Sequence, residues 1–423
     1  MEVILRILML SWEYPPRIVG GIARHVEELA WELAAKKDVE VHVVTCHHDG
    51  APAEEIVRGV HIHRVVPYPA DGGYNDFVHW VHQLNAAMRD RADELLQSWL
   101  APASSASKKL KDPKKLSQKN AIVLHAHDWL AHFCAEELKH RFKLPLVATI
   151  HATEFGRNNG IHSEISRYID HIERRLITEA WRVIVCSAFM RGEVEYALQT
   201  PGDKIDIIYN GVNWHKFDFD FPSDEAAAFR QQFASPHEKI IMFVGRGVRE
   251  KGCQVLIDAL PRVRSVYPNC KLVIAGGGYR LHLMDQAHAL GVWDQVYFTG
   301  FMPDETLLRL YRVADVACFP SLYEPFGIVA LEAMAARCPV VVSDAGGLKE
   351  VVEHGVTGLQ TWLNNPDSLS WGLLHMILNP QQAHEMADAA FKRVESTFNW
   401  ALIASQTLEV YERVWNEYRH SDW

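Results

Sequence analysis

The chain has 423 residues, of which 48% are hydrophobic and 23% are charged, as in ordinary globular proteins. This length predicts two or three domains, each able to bury its own core. The formal net charge of −10 argues against nucleic acid or an anionic membrane surface as the main partner.

The chain opens with an apolar run that we interpret as a buried strand. The run carries Glu2 and Arg6 and is followed by the motif WEYPP, with no small-residue cleavage site, so a signal peptide is not indicated. No apolar run reaches the roughly 18 residues of a membrane-spanning helix. Seven cysteines are scattered without a C-x-x-C pair, which predicts reduced, buried thiols and a cytoplasmic location.

A glycine pair, Gly20-Gly21, follows the first strand and precedes a helix. The helix is indicated by apolar residues at Ile22, Val26 and Leu29, a helical spacing. Strand, glycine turn and helix are typical of the start of a doubly wound α/β domain, with a ligand at the helix N-terminus. The pair also suits a simple tight turn, so both interpretations stay open at this point.

Two later strands in this half end in polar side chains. One leads into the motif HAHDW, residues 125–129, and the next, near 146–150, delivers His151. The spacing H-x-H-D invites a metal site, but zinc needs a third and a fourth ligand that the sequence does not show. A loop at the carboxyl end of a strand, lining a ligand cleft, is the better interpretation.

Two segments interrupt the alternation of predicted strands and helices. Residues 101–119 are rich in Ser, Ala and Lys, which predicts a flexible surface insertion. Residues 212–236 mix turn, charged and short helical patterns, and we interpret them as the boundary between two domains. They contain Asp218 and Asp220 in a D-x-D triplet, but their place in a linker argues against a metal role.

Beyond this boundary a second α/β series is predicted, in which each strand ends in a glycine-rich or polar loop before a helix. The strands lie near 240–244, 271–275, 296–299, 316–319 and 339–343. Such glycine clusters suit a phosphate-bearing ligand. Arg246 and Lys251 follow the first of these strands, and fixed cations there would stabilise the charge that builds up on a departing diphosphate.

The stretch FPSLYEPFGIVALEAMA, residues 319–335, is the most informative one in the chain. Gly327 lets the backbone approach a ligand closely, and the following amides lie at a helix N-terminus, which favours an anion. Glu324 and Glu332 flank this site. Since a carboxylate repels a phosphate, each is expected to accept hydrogen bonds from sugar or ribose hydroxyls.

Together these motifs resemble the retaining glycosyltransferases of family 4, most of all the glycogen synthases. The resemblance covers nearly the whole chain and rests on SWEYPP followed by GG, HAHDW, TIH, NGV, the G-R…K-G run at 245–252 and the E-P-F-G…E run at 324–332. It implies the GT-B fold, an α/β architecture of two Rossmann-like doubly wound domains that face a central cleft. We predict an N-terminal acceptor domain of residues 1–215, on which C-terminal helices at 396–423 pack back, and a donor domain of residues 216–395.

The resemblance also implies roles for single residues. His151, Arg246, Lys251 and Glu324 are the predicted catalytic residues: the histidine faces the donor sugar, the two cations bind the diphosphate, and Glu324 touches the sugar. The other predicted nucleotide-sugar contacts are Gly21 in a mobile loop, Phe301, the amides of Gly327, Ile328 and Val329, and Glu332 on the ribose.

The acceptor is less clearly indicated. Gly20, Asp128, Arg157 and Arg167 are the candidate acceptor-binding residues, and the run F-G-R-N-N-G resembles the corresponding region of sucrose-phosphate synthases. Solvated arginines explain the two Arg residues equally well. Bacterial glycogen synthases typically carry Lys-x-Gly-Gly, whereas this chain has Arg17 and then Ile18-Val19 before its glycine pair, so the resemblance does not fix the nucleotide.

We therefore expect a retaining hexosyltransferase that moves an α-glucosyl group from UDP- or ADP-glucose to a sugar hydroxyl, without metal or cofactor. Transfer to a sugar phosphate such as fructose 6-phosphate is the alternative. A non-catalytic nucleotide-sugar sensor is an alternative of another class, but the charged donor contacts are all present. The expected partners are a nucleotide sugar and a carbohydrate acceptor, with no nucleic acid and no membrane, and the chain is expected to be a monomer or homodimer.

Overall fold

The computed structural model describes residues 5–69, 77–101, 112–115, 121–278 and 280–423. Most of the lysine-rich segment at 101–119 lies outside these residues, so its character as an insertion stays a prediction. The chain divides into two compact units. The first unit comprises Met1–Tyr209 and Trp400–Trp423, and the second unit comprises Asn210–Asn399.

The first unit alternates strands and helices along the chain. Its described strands are β1 Leu5–Ser11, β2 Val39–Cys46, β3 Glu54–Val57, β4 Val60–Val65, β5 Ala121–His127, β6 Leu146–Ile150, β7 Arg182–Val185 and β8 Ile205–Ile207. Its described helices are α1 Gly21–Ala34, α2 Phe77–Leu100, α3 His132–Phe142, α4 Glu154–Asn158, α5 Glu164–Glu179, α6 Ala188–Leu198 and, after the second unit, α15 Trp400–His420.

These strands form one sheet in the order β3-β4-β2-β1-β5-β6-β7-β8, in which β3 is antiparallel to β4 and the other pairs are parallel. The central strands are buried along almost their whole length, as expected of parallel strands covered by helices on both faces. The direction of chain progression reverses at β1, whose neighbours are β2 and β5. In open α/β sheets a ligand crevice lies at the carboxyl ends of the strands at such a reversal.

The second unit repeats this plan with a smaller sheet. Its described strands are β9 Lys239–Val244, β10 Cys270–Ala275, β11 Val296–Gly300, β12 Val316–Phe319, β13 Val340–Ser343 and β14 Leu359–Thr361. Its described helices are α7 Ser223–Arg230, α8 Cys253–Val266, α9 Leu281–Ala289, α10 Asp304–Val313, α11 Ile328–Ala335, α12 Leu348–Val351, α13 Pro366–Leu378 and α14 Pro380–Thr397. The sheet order is β11-β10-β9-β12-β13-β14 and every pair is parallel, so the reversal lies between β9 and β12.

Helix α15 completes the first unit. Tyr411 and Tyr418 on this helix are fully buried, and the Tyr411 hydroxyl contacts Nδ1 of His125 over 2.7 Å. Tyr411 and Tyr418 therefore pack in the core of the first unit. The seven cysteines are also buried, and no helix of the described residues is long and apolar enough to cross a membrane.

Candidate functional site

The reversal in the second sheet brings two predicted catalytic residues into contact. Lys251 lies in the loop after β9 and Glu324 in the loop after β12, and these strands are neighbours. The Lys251 Nζ donates a hydrogen bond to Glu324 Oε2 over 2.8 Å. Glu324 is 7% exposed and also accepts a hydrogen bond from the Ser321 hydroxyl over 3.3 Å, so its carboxylate is held from two sides.

Gly252 explains how these two loops come so close. It has a φ of +71°, in the left-handed region, and a Cβ added at this position would lie 1.7 Å from the carbonyl oxygen of Pro320. No side chain fits in that space. Because residue 252 is a glycine, the two loops can approach each other closely, which places the ammonium of Lys251 beside the carboxylate of Glu324.

The predicted anion site at the start of α11 has the expected backbone. Gly327 precedes the helix with a φ of +111°, and α11 begins at Ile328. A Cβ at Gly327 would lie 2.5 Å from Cδ2 of Leu348, so a glycine is required for packing as well as for conformation. The first amides of an α-helix have no partner within the helix, which leaves those of Ile328 and Val329 suited to a phosphate oxygen.

The structure gives Glu332 a partner that the sequence did not indicate. The hydroxyl of Tyr311, a side chain that is 1% exposed, donates a hydrogen bond to Glu332 Oε2 over 3.0 Å. Glu332 itself is only partly buried. Tyr311 fixes the direction of the carboxylate, which can still accept hydrogen bonds from a diol such as a ribose.

Two further predicted donor contacts lie at the surface of this unit. Arg246 has 58% of its side chain exposed and pairs with Glu250 Oε1 over 3.2 Å, and Phe301 is 83% exposed. Both follow strands that end at the same edge of the sheet as β12. An exposed ion pair contributes little to stability, so the geometry of Arg246 is easily rearranged by a ligand.

In the first unit, the carboxylate of Glu13 binds the backbone amides around the glycine pair. Glu13 is 1% exposed, and its Oε2 accepts hydrogen bonds from the amides of Val19 over 2.6 Å and Gly20 over 2.9 Å. It also accepts one from Ala23, in the first turn of α1. Burial raises the pKa of Glu13, while the three amides oppose this. The glycine loop is therefore held by the chain's own carboxylate.

Asp128 and His151 are joined at the neighbouring strand ends. Asp128 has a φ of +59°, and its Oδ1 accepts a hydrogen bond from the amide of His151 over 2.7 Å. Complete burial raises the pKa of Asp128 to about 6, partly offset by Arg157, whose Nη2 lies 3.8 Å from Asp128 Oδ2. The structure thus brings three of the predicted residues together: His151, Asp128 and Arg157.

The ring of His151 belongs to a group of imidazoles. Its Nε2 lies 3.2 Å from Nδ1 of His127, and its ring centre lies 4.7 Å from that of His25 on α1. Burial, with a smaller effect of Arg157, lowers the pKa of His151 to about 3, so the ring is neutral at pH 7. The ring of His151 therefore adds no positive charge to this part of the first unit.

Arg167 does not join this group by any contact in the described residues. It is exposed and pairs with Glu164 in the first turn of the same helix, α5. This arrangement is what a solvated surface arginine would show, and it favours Arg157 over Arg167 as an acceptor contact.

Sequence reasoning did not identify the residues that hold the loops. Glu13 could have been suspected from its place in WEYPP, directly before the glycine pair, but its partners are backbone amides. Glu173 on α5 is also buried, and both of its carboxylate oxygens accept from the amide of Glu154, over 2.9 and 3.2 Å. Burial raises the pKa of Glu173 well above its usual range. Nothing in a helical sequence pattern marks such a residue.

Comparisons with known proteins agree over both units. The profile of the family described as "Glycosyl transferase 4-like domain" matches residues 20–211, and that of "Glycosyl transferases group 1" matches residues 224–393. The glycogen synthase of Mycobacterium tuberculosis is 35% identical over 415 residues, which cover 96% of this chain and 94% of that protein.

Two solved structures share the fold along nearly the whole chain. Sucrose-phosphate synthase from Thermosynechococcus elongatus superposes with a TM-score of 0.78 at 22% identity, covering 97% of this chain and 99% of that one. Anabaena HepE in complex with UDP-glucose superposes with a TM-score of 0.73 at 21% identity, covering 96% and 99%. The fold, the profile matches over both units and the extended similarity to glycogen synthase establish that the chain belongs to the family-4 glycosyltransferases with the GT-B fold.

Proposed function

We propose that the protein is a retaining glucosyltransferase that moves an α-glucosyl group from a nucleotide-glucose to the hydroxyl of a carbohydrate acceptor. The observation that carries the proposal is the contact of Lys251 with Glu324 at the strand reversal of the second unit, beside the N-terminus of α11. A cation, a sugar-binding carboxylate and phosphate-binding amides on one edge of a sheet suit a nucleotide sugar.

Each part of the donor has a group of suitable chemistry. Lys251 and Arg246 are assigned to the diphosphate, and the amides of Ile328 and Val329 to one of its phosphate groups. Glu324, held by Lys251 and Ser321, is assigned to sugar hydroxyls, and Glu332, oriented by Tyr311, to the ribose. Gly21 and Phe301 are assigned to further contacts with the nucleotide sugar. The UDP-glucose in the HepE structure supports a donor of this class.

In the proposed reaction the acceptor hydroxyl attacks the anomeric carbon on the face from which the diphosphate leaves. The new C–O bond forms as the bond to the phosphate oxygen breaks, and the hydroxyl proton passes to that departing oxygen. Lys251 and Arg246 stabilise the charge that accumulates on the diphosphate, which lowers the barrier because that charge is greatest in the transition state. His151 is assigned to the transferred sugar. The proposal includes no metal and no cofactor.

The acceptor that the first unit favours is a neutral glucan end. The N-terminus of α1 would otherwise suit a phosphate, but Glu13 already occupies the amides of Val19, Gly20 and Ala23. A second anion placed against this carboxylate would be repelled. The 35% identity with a glycogen synthase supports the same choice, with Gly20 and Asp128 as acceptor contacts.

A sugar phosphate is the second candidate, because Arg157 offers a partly exposed guanidinium only 3.8 Å from Asp128. The likeness to sucrose-phosphate synthase supports it at the level of the fold. For this acceptor, Arg157→Ala should reduce transfer strongly, whereas Arg167→Ala should have little effect since Arg167 is paired on its own helix.

The test is nucleotide release from UDP-, ADP- and GDP-glucose, each offered with maltooligosaccharide, with fructose 6-phosphate and with no acceptor. We expect release with the oligosaccharide and an α-linked product by NMR. Release only with fructose 6-phosphate would show that the acceptor is a sugar phosphate and not a glucan. Tight binding of a nucleotide-glucose with no transfer to any acceptor would contradict the proposed enzymatic activity and favour a sensor. A β-linked product would contradict the proposed retention of configuration.

A further inference from the structure

Three histidines from three different elements of the first unit converge around one point. His25 lies on α1, His127 ends β5 and His151 follows β6. One nitrogen from each ring can be chosen so that the three nitrogens lie within 4.8 Å of one another. Of the motif H-x-H-D only His127 belongs to this group, and the fold supplies the other two histidines from helix α1 and from the end of strand β6.

The distances in this group approach those of a metal site. The nitrogens of two imidazoles bound to one tetrahedral zinc ion lie about 3.3 Å apart, because each Zn–N bond is about 2.0–2.1 Å long. Nδ1 of His127 and Nε2 of His151 are 3.2 Å apart. The ring centre of His25 lies 4.7 Å from that of His151 and 5.5 Å from that of His127, so small side-chain rotations bring its nitrogen within range.

The surroundings of the rings also suit a metal ion. His127, whose Nδ1 faces Nε2 of His151, is fully buried. Asp128, whose carboxylate binds the amide of His151, supplies negative charge close to the group.

We infer that His25, His127 and His151 form a binding site for a transition-metal ion such as Zn²⁺, and that the bound ion inhibits the enzyme. Imidazole nitrogen is a preferred ligand of Zn²⁺ and its neighbours in the first transition row, whereas Mg²⁺ and Ca²⁺ prefer oxygen. Three protein ligands leave a fourth position for water. The inhibitory part rests on the proposed function, because it assigns His151 to the transferred sugar.

The binding part is tested without any activity measurement. Full-length protein is freed of metal with a chelator and titrated with Co²⁺, whose tetrahedral complexes absorb visible light, and Zn²⁺ is then added to displace it. We expect one Co²⁺ per chain, and an affinity at least about tenfold lower in His25→Ala and in His151→Ala, since changes even outside the ligand set cost that much. His151 is partly exposed, so we expect His151→Ala to keep the native fold. Circular dichroism would verify the fold of both variants.

A matched control removes a ligand from another group. Glu40, His42 and His61 also place ligand atoms within 4.8 Å of one another, in the same unit. His61→Ala should bind Co²⁺ as the natural protein does. The proposed site would be wrong if the natural protein showed no tetrahedral Co²⁺ spectrum. It would also be wrong if His61→Ala lost the spectrum while His151→Ala kept it.

The inhibitory part is tested separately, in the transfer assay. One equivalent of Zn²⁺ should suppress most of the activity of the natural protein, excess chelator should restore it, and His61→Ala should respond in the same way. Full activity at saturating Zn²⁺ would overturn inhibition while leaving the binding result in place. If no transfer is seen under any condition, the proposed function fails and the Co²⁺ titration still decides the metal site.

Discussion

The ammonium of Lys251 lies 2.8 Å from the carboxylate of Glu324, across the two loops that flank the strand reversal of the second sheet. The contact joins a group suited to phosphate with a group suited to sugar hydroxyls. Each orients the other, so the loss of either disturbs both halves of the proposed donor site.

Replacing Lys251 with Ala should reduce kcat by about 10²–10³, because a fixed donor aimed at developing charge is lost. Glu324→Ala should have an effect of similar size, since it removes the sugar contact and leaves Lys251 without its partner. Initial rates at saturating donor would measure both. Arg262→Ala is the matched control, as it breaks an exposed ion pair with Asp367 in the same unit. Near-normal kcat in either site variant would refute the donor-site assignment.

Glu332→Gln should raise the KM for the nucleotide-glucose by about tenfold with a smaller change in kcat, because a ribose contact is made equally in the ground and transition states. Tyr311→Phe is the informative companion. It removes the hydroxyl that orients Glu332 over 3.0 Å and should raise KM in the same direction but less. An unchanged KM in Glu332→Gln would exclude the ribose role.

Gly327→Ala should lower the stability of the folded protein by about 1–3 kcal/mol, because a φ of +111° is strained for alanine and its Cβ would lie 2.5 Å from Leu348. Thermal unfolding would measure the loss. Gly277→Ala is the control in the same unit, since its Cβ would meet no atom within 4 Å and its φ lies outside the left-handed region. Equal melting temperatures for the two variants would contradict this account of the helix start.

The stability of the first unit should depend on pH through Asp128. Burial raises the pKa of this carboxyl to about 6 in the folded state, above its value in the unfolded chain. Between about pH 4 and pH 6 the folded state therefore holds a proton that the unfolded state has released, and stability falls as the pH rises through this window.

Asp128→Asn measures this contribution because the amide does not titrate. The free energy of unfolding of the natural protein minus that of the variant should decrease by roughly 2–3 kcal/mol from pH 4 to pH 6 and stay level above it. Denaturant unfolding at each pH gives the difference. A difference that rises with pH would show that Asp128 is stabilised as a carboxylate instead.

Much of the fold could be predicted because parallel strands leave a strong signal. Apolar runs such as those at 146–150 and 316–319 are buried on both faces, and each is followed by glycine or polar residues where the chain turns into a helix. The fold and the family were confirmed. Strands β3, β4 and β14 were not predicted, since β3 and β14 have only four and three residues and β4 interleaves histidines with its apolar residues.

The contacts among the residues assigned to the donor were easier to anticipate from the sequence than those in the first unit. Lys251, Glu324 and Gly327 lie in short motifs whose spacing predicts their chemistry, and the structure brings them to one sheet edge. Glu13 acts on backbone amides, and His25 reaches His127 and His151 from a separate helix. Such contacts depend on which helices, strands and loops become neighbours in the fold, and a local sequence pattern does not predict this.

The first unit is not continuous along the chain, since it is completed by residues 400–423. His25 packs against Trp400, with ring centres 5.4 Å apart, and Nδ1 of His125 contacts the Tyr411 hydroxyl over 2.7 Å. A ribosome therefore synthesises the whole second unit before it supplies the last helix of the first. During translation the unit that begins first is therefore completed last: His25 and His125 meet Trp400 and Tyr411 only after residues 210–399 have been made.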